Sequence, residues 1–82
     1  MTKARTKDEM FMIRVYQESR KHADPEQPFN RYDIGKMVGL HERAVDAICT
    51  LLLQANFLKK ENKTDVSITP HGEKLVLALL EE

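Results

Sequence analysis

Arg43, Thr50 and Gln54 follow one another at steps of seven and four residues, and on a helix of about 3.6 residues per turn that spacing keeps them on one side. Their side chains suit recognition. Arg43 offers a planar fork of donors, while Thr50 and Gln54 each donate and accept. Lys59, Lys60 and Lys63 come soon after, with Asn62 among them, a group of cations and an amide suited to phosphate oxygens. Other chemistry has little to work with. No carboxylate pair, nucleophile motif or phosphate-binding glycine loop is present, so no enzymatic activity and no cofactor are expected. His22, His41 and His71 have no metal-ligand spacing with Cys49 or with one another, so no metal site is expected. Cys49 is expected to be a small buried thiol and not a redox switch, because nothing near it in sequence would lower its pKa.

Four helical patterns and one change of period must position these residues. The third helix runs from His41 to about Ala55. Val45, Ile48, Leu52 and His41 share its apolar arc, flanked by Cys49 and Ala44 and widened by Leu51 and Ala55. Glu42, Arg43, Asp46, Ala47, Thr50, Leu53 and Gln54 lie opposite. Asn56 ends this helix in the left-handed conformation. The second helix spans Arg31 to Val38, with Phe29-Asn30 opening it. Asn30 is its N-cap, and Phe29 and Ile34 occupy the two positions of a hydrophobic staple. Gly39 supplies the left-handed residue that stops it, leaving a corner too tight to be a linker.

The first helix starts from Thr6, with Glu9 completing a capping box, and continues through "DEMFMIRVYQESRKH". Phe11, Met12, Val15, Tyr16 and Ser19 fall on one side, and Arg20, Lys21 and His22 form its last turn. "ADPEQP" reads as a connecting loop. In "FLKKENKTDVSIT" the period drops to two: Val66 and Ile68 alternate with Ser67 and Thr69, giving a β-hairpin around a polar turn of four or five residues. Thr69 caps a last helix with Pro70 at its first position. Leu75, Val76, Leu79 and Leu80 make its stripe, and Leu77 and Ala78 extend the apolar surface.

The totals bound the possibilities. Eighty-two residues make one domain, with residues 1–6 expected as a flexible tail. Thirteen basic and thirteen acidic side chains cancel, which argues against a nonspecific nucleic-acid coat. The charge is unevenly spread. Residues 30–63 carry six basic and four acidic side chains, whereas 64–82 carry one and four. No apolar run approaches the roughly 18–20 residues of a membrane span, and "MTKARTKDEM" lacks the apolar core of a secretory signal. With a single cysteine, these features lead us to expect a soluble, cytoplasmic protein.

Two segments carry a family resemblance. "IGKMVGLHERAVDAICTLLLQANFLKK" resembles the helix-turn-helix of winged-helix transcription regulators, through Ile34, Gly35, Gly39, Leu40 and Val45 and then Ile48 and Leu51 or Leu52. "VSITPHGEKLVLALL" is similar to the strand-Thr-Pro-x-Gly-helix ending of the same superfamily, as in regulators of the MarR and PadR type. The resemblance implies an α+β, mostly α fold: a winged helix-turn-helix with a three-helix core, a β-hairpin wing and a C-terminal helix. It also implies double-stranded DNA as partner, with the third helix (about 41–55) in the major groove and the wing (about 58–69) on the backbone.

On that basis Arg43, Thr50 and Gln54 are candidates for base edges, and Arg43 suits a bidentate contact to guanine. His41, Arg31, Lys36, Lys59, Lys60, Asn62 and Lys63 are candidates for the DNA backbone. Each has a plainer reading. Arg43 could pair with Asp46, His41 could pack against the core, and the lysines could simply blunt a hairpin edge. Glu42 and Asp46 face the same side as Arg43 and would repel phosphate, Asp46 being the stronger objection. Terminal helices with surplus leucine imply a homodimer. The alternative is a winged-helix protein–protein interaction module that does not bind DNA.

Overall fold

Local capping chemistry sets most of the boundaries. The computed structural model describes residues 5–22, 24 and 27–81. Helix α1 (Lys7–Ser19) begins as the capping box dictates: the Thr6 hydroxyl accepts from the Glu9 amide, and the Glu9 carboxylate accepts from the Thr6 amide at 2.9 Å. It stops earlier than the sequence pattern implies. The Lys21 and His22 amides return only three residues, to the Glu18 and Ser19 carbonyls at 3.1 and 3.2 Å, so Arg20, Lys21 and His22 lie beyond the last turn and not within it. Phe11, Met12, Ile13, Val15 and Ser19 are buried. Residues 1–4 of the expected tail lie outside the described residues. Arg5 is engaged, its Nη1 donating to the Leu79 carbonyl at 3.2 Å.

Phe29 and Asn30 do more than open a helix. They form a short strand, β1 (Phe29–Asn30), which pairs antiparallel with β3 (Asp65–Ile68) through Phe29 to Val66 and Asn30 to Asp65. A two-residue strand has no period to read, and its partner lies far along the chain. Strand β2 (Leu58–Lys60) pairs with the other edge of β3, giving a three-stranded antiparallel sheet in the order β1-β3-β2. Because β3 is central, Ser67 is buried as well as Val66 and Ile68. Its hydroxyl donates to the Glu61 carboxylate at 3.1 Å, which satisfies the one polar group on that strand's inner run.

Helix α2 (Arg31–Met37) and helix α3 (Glu42–Gln54) are joined by the tight corner at Gly39, where φ is +76°. Helix α4 (Pro70–Leu80) packs on α1. Its cap Thr69 accepts from the Gly72 amide at 3.0 Å and donates to the Asn56 carbonyl at 2.6 Å. Phe11, Val15, Ile34, Val45, Leu58, Val66 and Val76 meet in one hydrophobic core fed by every helix and by the sheet. Chain and sheet together make an α+β, mostly helical architecture, a layout compatible with the expected one. Among the described residues, no helix is long and apolar enough to cross a membrane.

Candidate nucleic-acid interface

Helix α3 is held from behind and clamped at both ends. At its start, the His41 side chain acts as N-cap, with Nδ1 accepting from the Ala44 amide at 3.4 Å. The ring is exposed, which rules out the packing role, and Nδ1, as the acceptor of that amide, has no proton to give a phosphate, while Nε2 stays open to solvent. At its end, Asn56 adopts φ +63°, and the Phe57 and Asn56 amides return to the Leu52 and Leu53 carbonyls at 3.0 and 3.1 Å. The same double return closes α2, with the Leu40 and Gly39 amides donating to the Gly35 and Lys36 carbonyls at 2.8 and 3.3 Å. The two helices approach closely because Gly35 has no side chain: a Cβ there would stand 2.3 Å from Val45 Cγ2.

Burial turns α3 slightly from its sequence wheel. Val45, Ile48, Cys49 and Leu52 are buried, but Leu51 is 60 % exposed while Leu53 packs partly against the core. Leu51 sits about 100° round the helix from Leu52, which takes it off the buried arc. The outer face therefore holds Arg43, Asp46, Ala47, Thr50, Leu51 and Gln54, all exposed. Burial pushes the Cys49 thiol up, to about 11, against the opposing pull of the Arg31 charge and with a smaller push from Asp46. Arg43 and Gln54 have no side-chain hydrogen bond or ion pair among the described residues. The Thr50 hydroxyl donates to the Asp46 carbonyl at 2.9 Å, leaving its oxygen free to accept.

Asp46 does not pair with Arg43. Its Oδ1 accepts from the Tyr32 hydroxyl at 2.7 Å and lies 3.9 Å from Arg31 Nη1. The bond to Asp46 raises the Tyr32 phenol above its ordinary pKa. The carboxylate is thus drawn toward α2, at the edge of the face. Glu42 is exposed in the first turn, where it favours the helix dipole.

Arg31 must be corrected as a backbone-contact candidate. It is only 8 % exposed. Its Nε and Nη2 donate to the Thr64 and Lys63 carbonyls at 3.2 and 3.3 Å, so one guanidinium holds the hairpin tip, α2 and Asp46 of α3 together. Asn62 is likewise occupied. Its Oδ1 accepts from the Thr64 and Asp65 amides at 3.0 and 2.9 Å, and its Nδ2 donates to Asp65 Oδ2 at 2.9 Å, which builds the turn between β2 and β3. Lys59 Nζ lies 3.8 Å from Glu61. Lys36, Lys60 and Lys63 are exposed, with no ion pair to a described residue.

What remains is one exposed polar face on α3 (Arg43, Thr50, Gln54) and a hairpin that carries exposed Lys59, Lys60 and Lys63, packs on α3 through β2 and has its tip tied to Asp46 of α3 through Arg31. Sequence spacing missed Tyr32, whose role depends on α2 lying against α3, and it missed Leu51 as a surface residue. The charge of Arg31 was visible, but its burial follows from the β1–β3 pairing that brings residues 63 and 64 beside it. Compared with known proteins, the chain matches no family model, no curated protein and no solved structure.

Proposed function

We propose that the chain is a small winged-helix DNA-binding protein acting as a transcription regulator, with α3 in the major groove and the β2–β3 hairpin serving as the wing on the backbone. One observation carries this reading: the acidic group that most opposed it, Asp46, is drawn off toward Tyr32 and Arg31, while Arg43 stays exposed and unpaired among the described residues. Arg43, Thr50 and Gln54 then face base edges, and Lys36, Lys59, Lys60 and Lys63 face phosphates. The protein works without a catalytic centre or cofactor, in the cytoplasm. Exposed Leu80 on α4 and Met10 on α1 border an open groove that Arg5 and Arg14 also line, a surface suited to a second copy whose Glu81 meets those arginines.

The other reading is a winged-helix module that binds protein. It is favoured by exposed Glu42 and by zero net charge. Salt dependence separates the two. Under the DNA reading, anisotropy with a random duplex detects binding at low salt, and affinity falls as salt rises with a log–log slope of about 0.9 for each neutralised phosphate. An absence of binding to any duplex at roughly 50 mM salt transfers the conclusion to the protein-binding module.

A further inference from the structure

Leu51 is the most exposed large hydrophobic side chain among the described residues, at 60 %. It is not surplus core. Leu52 beside it fills the interior, and Leu53 lies partly against the same core. Ala47, one turn earlier and also exposed, continues the apolar strip along the outer face that carries Arg43, Thr50 and Gln54. In the major groove only one base edge is apolar: thymine presents a C5-methyl group, and alanine or other apolar side chains are its natural contacts. Charge selects the occupant. The strip shares its helix face with Arg43, which has no partner among the described residues, and that helix packs on the strand that opens the lysine-bearing hairpin, charges that suit a polyanion better than an apolar peptide.

Resting on the DNA reading, we propose that Leu51, with Ala47 beside it, is a specificity-determining residue that packs on a thymine methyl, so that the preferred site contains a thymine set apart from the base read by Arg43. Leu51 follows Arg43 by eight residues, about 12 Å along the helix axis. At about 3.4 Å per base step, a helix lying along the groove spans three or four base pairs over that distance.

The test replaces single thymines with deoxyuridine, which deletes the methyl and nothing else. A duplex site is first selected from a random pool with the whole protein, and each thymine is then replaced in turn. One replacement is expected to weaken wild-type binding about four-fold, the equivalent of about 0.8 kcal/mol for one buried methyl-sized group. In Leu51→Ala the same replacement changes nothing, because the contact is already gone. Leu51 is exposed, so this variant keeps its fold, which its melting curve verifies. If the protein binds duplex but no replacement matters, or if Leu51→Ala keeps the full four-fold difference, the thymine assignment is overturned while the DNA reading stands. If no duplex is bound at all, both fall, and Leu51 becomes an anchor for a protein partner.

Discussion

Arg43 and Arg31 carry the same group to opposite ends. Arg43 is exposed on α3 with no partner among the described residues, whereas Arg31 is buried beneath the hairpin tip. Arg43→Ala is expected to relax preference at one base position by about 1–3 kcal/mol without moving the melting temperature, as read by binding to a set of single-base variants of the site. Lys60→Glu should weaken binding to every duplex alike and lower the salt slope by about 1. Arg31→Met should do the reverse: it loses about 1–3 kcal/mol of folding stability in urea titrations, because two carbonyls lose a charged donor, and it leaves the salt slope unchanged. Cys49 gives a pH signature. Its thiol titrates near 9.0 when unfolded and near 11 when folded, so the native state holds the proton longer. The stability from keeping the thiol neutral is complete below pH 9.0 and is lost as pH rises toward 11. Chemical denaturation across that window should show a decline that Cys49→Ala flattens.

At the scale of elements, the packing of α2 on α3 depends on one absent methyl group. Gly35→Ala drives a Cβ into Val45 Cγ2 and is expected to cost about 1–3 kcal/mol. Trimming the opposing residue should recover part of it, so the double variant Gly35→Ala, Val45→Ala should show a coupling term in a denaturation cycle. Gly39→Ala meets no neighbouring atom and pays only for its positive φ, about 1–2 kcal/mol. These positions were legible in the sequence because capping and corners are local: Thr6, Asn30, Gly39, Asn56 and Thr69 each act on amides or carbonyls a few residues away. The illegible parts are long-range. Strand β1, the burial of Ser67 and the clamp at Arg31 all arise from β3 lying between two strands, one of which comes from the far side of α2 and α3. Leu51 and Leu53 exchanged roles for a related reason: a run of three leucines fixes no direction until neighbouring helices choose one side. Of the candidate site, the α3 residues and the hairpin lysines stood where the pattern put them, while Arg31 and Asn62 turned out to hold the scaffold.

Across the whole molecule, charge is balanced in total and sorted along the chain. The segment 64–82 is acidic and ends in α4, while the stretch containing α2, α3 and β2 is mildly basic. An association of two copies through α1 and α4 is expected to show as a concentration-dependent mass in sedimentation at high micromolar protein, and Leu80→Glu should abolish it. A strict monomer at those concentrations removes the pairing and leaves the α3 face to act singly. The bond from Arg5 to the Leu79 carbonyl has a reach that its place in the sequence hides. It stitches the residue before the α1 cap to the closing turn of α4. Deuterium uptake by the amides of that turn should therefore respond to a residue more than seventy positions earlier, and Arg5→Ala is expected to make the turn fray.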